Sequence, residues 1–262
     1  MASGIGQDAG TFITANYRFG AQPSVTTSYN VVWPVIGKAG PDYISINSPQ
    51  YVAYASTHAT DSASSTGARK VAIQGLTASL GLQSEELWLN GTSPVTTSNQ
   101  YVRVFRSWVT RCGSNGTNAG SMFCGYGTFT SGVPANILTK IQVGDGQTSQ
   151  TVITVQASVN GHIHEIEWYI GKDGGGQNIL GTFELRTRQI FGVHGSYEMG
   201  PWRQRFIGST IDHIHYATDL DAIVLYGPVD VEVRVLGSAT GARASAAIGG
   251  EFHKQIQVPE II

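Results

Sequence analysis

Charge is what this sequence has least of. Lys, Arg, Asp and Glu make up 13% of its 262 residues and sum to a formal net charge of -2, whereas roughly a quarter of a typical globular chain is charged. A protein without a basic face has little with which to grip a phosphate backbone, so nucleic acid is excluded as its main partner. A surface poor in Lys and Glu is also weakly defended against association, which favours assembly with copies of itself or with a scaffold. Cysteine is nearly absent: Cys112 and Cys124 are too few for a structural zinc site. They flank residues 113–123 symmetrically enough to face each other across a hairpin. No apolar run approaches the ~20 residues that a membrane span needs, and Met1-Ala-Ser-Gly-Ile-Gly-Gln-Asp8 lacks the basic head and apolar body of a secretory signal. The expected product is a soluble chain made in a cytoplasm with its thiols reduced.

What is present is glycine, hydroxyl residues and alternation. The 33 Gly, with abundant Ser, Thr and β-branched residues and no convincing helix, argue for an all-β protein. Residues 69–111 carry the clearest pattern. Val71 and Ile73 alternate with Ala72 and Gln74, Leu87 and Leu89 with Glu86, Trp88 and Asn90, and Val102 and Val104 with Tyr101, Arg103 and Phe105. A period of two places successive side chains on opposite faces of a sheet, so these read as three half-buried strands of a meander. Asn90-Gly91 and the Ser/Thr run over residues 92–99 read as turn and loop between them.

Elsewhere, residues 151–156, 162–170, 178–188, 202–207, 210–216, 222–226, 229–236 and 243–252 supply further strands. Asn160-Gly161 reads as a tight turn, and the last two strands read as a hairpin around Gly237-Ser-Ala-Thr-Gly241. The expected fold is an antiparallel β-sandwich, jelly-roll-like, in one or two β-domains. Its parts are an extended N-terminal arm (1–40), a β meander or sandwich (41–150), a second β block that can belong to the same sandwich (151–252) and a C-terminal tail (253–262).

Candidate chemistry is thin. His162-Ile-His164 and His213-Ile-His215 each put two imidazoles on one strand face, a spacing that can bite a metal. Glu165 and Asp212 alternate onto the opposite face, so a carboxylate ligand there needs a bulge. Two polar strand faces explain the same pattern without a metal. The glycines of residues 171–176 lack Walker spacing, and Gly-x-Ser-x-Gly does not occur. No catalytic residue and no cofactor is expected. Trp33, Trp88, Trp108, Trp168 and Trp202 can stack on sugars, but strand positions favour the core; exposed loop aromatics such as Tyr197 are better sugar candidates.

Several phrases carry a family resemblance. Gly67-Ala-Arg-Lys-Val-Ala-Ile-Gln-Gly-Leu-Thr77, Glu86-Leu-Trp-Leu-Asn-Gly-Thr-Ser-Pro-Val-Thr96 and Tyr101-Val-Arg-Val-Phe-Arg106 resemble virion structural proteins of tailed bacteriophages, cyanophages included. Gly144-Asp-Gly-Gln-Thr148, Phe183-Glu-Leu-Arg186 and Asp230-Val-Glu-Val-Arg-Val235 are similar to phrases from the same proteins. The resemblance implies a non-enzymatic building block, located in the virion, that forms a homotrimer and contacts major capsid or tail proteins. Its job would be capsid cement or decoration, or a tail, neck or fibre part. The alternative is a carbohydrate- or receptor-binding module at a fibre tip, with a host surface glycan as ligand. Contact residues are expected among apolar side chains of the terminal segments: Tyr17, Phe19, Tyr29 and Trp33 in the arm, and Ile256, Val258 and Ile261 in the tail.

Overall fold

Alternation becomes eighteen strands, with no helix among the described residues. The computed structural model describes residues 13–32, 46, 48–172, 175–192, 197–217 and 223–254. In chain order the strands are β1 (Ile13–Gln22), β2 (Asn30–Val31), β3 (Gln50–Ser56), β4 (Ala68–Leu76), β5 (Leu82–Trp88) and β6 (Val95–Tyr101). Then come β7 (Arg103–Cys112), β8 (Met122–Thr130), β9 (Val133–Ile141), β10 (Val152–Val155), β11 (Val159–Ile170) and β12 (Gly181–Phe191). The last are β13 (Glu198–Met199), β14 (Arg203–Thr210), β15 (His213–Ala217), β16 (Ile223–Tyr226), β17 (Val229–Gly237) and β18 (Ala244–Lys254). Neighbouring strands pair antiparallel throughout.

They form two sandwiches. In the first, a four-stranded sheet in the order β6-β3-β8-β9 faces a three-stranded sheet in the order β5-β4-β7, and the two enclose Val52, Tyr54, Val71, Ile73, Leu138 and Ile141. In the second, β1-β18-β11-β15, with β16 also on β11, faces β10-β17-β12-β13, with β14 on β12 and β2 on β17. Its centre is Trp168 of β11, whose ring lies 5.2 Å from Phe183 and 5.3 Å from Phe206. Position 208 is glycine because a Cβ there would come within 2.5 Å of the Trp168 ring. Leu76, Leu80, Val102 and Phe105 of the first block join this second core, so the two sandwiches share apolar contact.

The strands lie where alternation predicts them, but several partners differ. Residues 69–111 are not a simple meander: β7 pairs with β4, which also pairs with β5. Part of the Ser/Thr run read as loop is β6, an edge strand of the opposite sheet. There the Thr97 hydroxyl accepts the Val52 N–H at 3.1 Å and donates to the Val52 carbonyl at 3.0 Å. It stands in for ladder bonds where the register shifts, which is why a polar run holds a strand. Cys112 and Cys124 do not share a hairpin either, since β7 and β8 belong to different sheets, and both thiols are free. Asn160-Gly161 lies inside β11 rather than in a turn. The expected hairpin of β17 and β18 is a crossover between the two sheets of one sandwich.

Residues 13–22 of the segment read as an arm form a ten-residue strand paired with β18 along its whole length. Their alternation is real: Arg18, Gly20 and Gln22 are buried, and Phe19 and Ala21 are exposed. It escapes a hydrophobicity pattern because the inward positions hold Arg, Gly and Gln. Deleting residues 1–32 removes β1 and β2 and, with them, the buried Val25, Val31 and Val32. Burying a valine is worth about 1.5–3 kcal/mol, so thermal melting of the truncated chain should show a loss of about 5 kcal/mol or more.

Candidate functional site

The most heavily built polar feature lies on the face of β12 and β17 that points away from the Trp168 core. Register sets Glu184 opposite Arg234, Arg186 opposite Glu232 and Arg188 opposite Asp230, and all three make ion pairs. Asp230 and Glu232 are fully buried. Arg103 of the first sandwich, also fully buried, reaches across to Asp230 with Nε–Oδ1 at 3.0 Å and Nη2–Oδ2 at 3.2 Å. Arg188 Nη2 donates to the same carboxylate at 2.9 Å, and Thr154 Oγ1 donates at 2.7 Å. Burial alone would raise the Asp230 pKa, but Arg103 and Arg188, with the Thr154 bond, more than reverse this and hold it below the ordinary carboxylate value. Aromatic rings cap the ladder: Trp202 lies over Arg186 and Arg188 at 4.3 and 4.4 Å, and Tyr29 over Arg234 at 4.1 Å. Every charge here is spent on another, so the ladder joins the sandwiches and leaves no reactive group.

His162, His164 and His213 sit on the outer face of the five-stranded sheet, in two places. A β-bulge between Ile163 and Glu165 turns Glu165 onto the histidine side, which the strict alternation of the sequence does not foresee. His162 lies 6.2 Å from His164 and 5.0 Å from His253, centroid to centroid. Burial first, then its two imidazole neighbours, lower the His162 pKa, against an opposing pull from Glu251. His213 instead faces Tyr169, its Nε2 2.8 Å from Glu167 Oε1, and His215 lies opposite Glu167. The nearest members of the two motifs are three residues apart along β11, roughly 10 Å. Among the described residues, no group of three or more His, Cys, Asp or Glu could hold an ion. Along the backbone the two motifs thus lie apart on the sheet.

Phe19, Tyr169, Val224 and Tyr226 share that same outer face and are exposed. Tyr17 occupies a register position opposite Gly249, two residues from Phe19 along β1. Trp33, Ile256, Val258 and Ile261 lie outside the described residues. Tyr197 is no exposed platform: it is buried, with its hydroxyl donating to the Ala78 carbonyl.

The exposed tryptophan is one that alternation assigns to a strand. Trp88 of β5 is 47% exposed, with Lys70 Nζ 5.4 Å and the Arg111 guanidinium 5.7 Å from its ring centre. Lys70 also pairs with Glu86. Two strands over, the Arg106 guanidinium lies 4.9 Å from the Trp108 ring. Beside Arg106 the surface dips into a notch lined by Arg18, Phe19, Arg106, Gln147, Thr148 and Gln150. The outer face of the β5-β4-β7 sheet thus carries two tryptophans and a surplus of cations.

No family model matches this sequence, and no curated protein matches it. Among solved structures, the chain aligns with infectious bursal disease virus, Gt strain, at 8% identity and a TM-score of 0.20, covering 98% of this chain and 80% of that one. The Gx strain gives 11% identity and 0.22, with 97% and 74% covered. The VP2 subviral particle of that virus gives 9% and 0.20, with 93% and 77% covered. Scores this low carry no inference about this chain.

Proposed function

We propose that this chain is a non-enzymatic structural protein of a tailed-bacteriophage virion. It assembles as a homotrimer on the particle exterior, as capsid cement or decoration or as a tail, neck or fibre component. The observation that carries the assembly is the outer face of the five-stranded sheet, where Phe19, Tyr169, Val224 and Tyr226 stand exposed in a chain with little surface charge. Stable association buries roughly 1,600 Å² in total, and a repeated lattice multiplies the strength of each contact. The phage assignment is supported by the resembling phrases, which fall on β4, β5, β7, β12 and β17. Further copies of the chain and capsid or tail proteins are its partners.

Sedimentation of the purified chain tests the face. Wild type should run as an oligomer, and Val224→Glu with Tyr226→Glu should run as a monomer with unchanged melting, because both side chains point outward. A double variant that assembles like wild type would sink the role of this face. Cryo-electron microscopy of the particle then assigns the location: density repeating over the capsid marks a cement or decoration protein, and density on the tail marks a fibre or neck part. A second reading, glycan or receptor binding at a fibre tip, is favoured by the exposed Trp88 and its cationic surroundings.

A further inference from the structure

We propose that the outer face of the β5-β4-β7 sheet, together with the notch beside Arg106, binds an acidic polysaccharide whose sugar rings carry carboxylates. The inference rests on the glycan-binding reading and gives it a site and a ligand charge.

Three independent features converge on that face. The first is flat aromatic surface in the open. Trp88 is half exposed on an outward strand position, and Trp108 is partly exposed on the same face. Register places Trp88 opposite Lys70 and Trp108 opposite Ala72, so the two indoles flank β4 diagonally, two strand spacings across the sheet and two residues apart along it, roughly 12 Å. Ala72, in the same row as Trp108, adds no bulk beside that ring. Sugars present C–H faces that pack on aromatic rings, and an indole offers the largest such surface.

The second feature is charge. Lys70, Arg106 and Arg111 stand on this face, where Glu86 pairs with Lys70. In a chain whose net charge is -2, that local positive excess selects for an anion. Planar guanidinium groups suit carboxylates in particular, because they can donate two parallel hydrogen bonds.

The third feature is the mixed polarity of the notch. Arg106 presents donors, while Gln150, 2% exposed, has an Oε1 without a hydrogen-bond partner. An acceptor facing an anion site is a poor match for phosphate or sulfate alone. A uronic acid supplies both halves: its carboxylate accepts from the Arg106 guanidinium, and its ring hydroxyls donate to the glutamine oxygen. Phe19, exposed at the lip of the notch, adds apolar contact for the ring. Nucleic acid fits less well, because tight binding to a phosphate backbone draws on many more cations than these.

The test uses the full-length chain and defined polymers. Polygalacturonate should retard the protein in affinity electrophoresis, and neutral dextran should not. Retardation should weaken as salt rises. Trp88→Ala and Arg106→Gln should each weaken it by about tenfold, the loss of one stacking or ionic contact, with melting unchanged because both side chains lie on the surface side of β5 and β7. Gln150→Leu should weaken it as well, and Arg106→Lys should restore only part of the loss, since an ammonium cannot make the paired bonds. Equal binding to dextran would overturn the charge argument. Polygalacturonate binding untouched by the variants would overturn this face but leave the glycan reading standing, whereas no binding to any glycan tried would remove both. Binding of an oligo-dT single strand as tight as polygalacturonate, or Trp88→Ala turning an oligomer into a monomer, would overturn the proposal in favour of nucleic acid or of a subunit interface.

Discussion

Asp230→Asn is expected to cost on the order of 3–5 kcal/mol, the usual price of leaving buried charge without its partner, and to separate unfolding into two transitions. The carboxylate is fully buried and faces two guanidinium groups, Arg103 from the first sandwich and Arg188 from its own sheet. An amide keeps the shape but leaves two buried cations close together with no counter-charge. Arg103→Leu should cost less, since Asp230 keeps Arg188 and Thr154. It should still uncouple the sandwiches, because Arg103 also holds the Ile46 and Val102 carbonyls on the first block's side. The pH dependence has a definite sign. The folded-state pKa of Asp230 lies below its ordinary value of 3.8, so its stabilisation is complete above that value and is lost as pH falls through the folded pKa. Wild type should therefore lose stability in acid by a step that Asp230→Asn lacks, and urea unfolding of both proteins across acidic pH checks it. A variant with wild-type stability and one transition would show that the apolar contact of Leu76, Val102 and Phe105 holds the sandwiches together by itself.

The same residues show how far the sequence reaches. Arg103 sits between Val102 and Val104, and alternation correctly makes it a strand residue, but the two valines expected on one face separate: Val102 lies outside the strand and joins the second core, and Val104 joins the first. Alternation cannot say that Arg103 is covered, because the covering strand, β17, lies 127 residues away. The alternating acids and bases of residues 184–188 and 230–234 are visible as a pattern, yet only register turns them into three facing ion pairs. Hairpins failed for a related reason. Consecutive strands of a sandwich often cross to the opposite sheet, and both arrangements put the same turn residues between the same alternating runs. Cys112 with Cys124, and β17 with β18, are cases of this kind. The bulge beside His164 is a further example: one extra residue moves Glu165 to the other face, and nothing local announces it. Trp88 was legible in outline, since it alternates with Leu87 and Leu89. A strand tryptophan usually belongs to the core, and this one does not because its face of β5 has no second layer over it.

Asp61→Ala should be the most damaging change in the first sandwich, at on the order of 4 kcal/mol or more. Asp61 lies in the loop after β3 and is fully buried, yet no motif marks it. Its Oδ1 accepts the N–H groups of Ala68 and Ala119, each at 2.8 Å, and its Oδ2 accepts the Gly120 N–H at 2.9 Å and the Ser56 hydroxyl at 2.6 Å. One carboxylate thus ties the end of β3, the start of β4 and the loop before β8 into one corner. Gly67 is part of the same device, because a Cβ there would come within 2.2 Å of Asp61 Oδ1. Alanine leaves three buried N–H groups and a hydroxyl without an acceptor, and each orphan costs about 1–3 kcal/mol. Asp61→Asn should lose roughly half as much, since one oxygen remains while the new NH2 points donors at donors. Hydrogen exchange separates this from a general loss of stability. In Asp61→Asn the amides of Ala68, Ala119 and Gly120 should exchange far faster, while those of β12 and β17 in the second sandwich keep their protection. Uniform acceleration across both sandwiches would mean that the corner and the distant core unfold as one unit, and that the Asp230 link is stronger than the corner it protects.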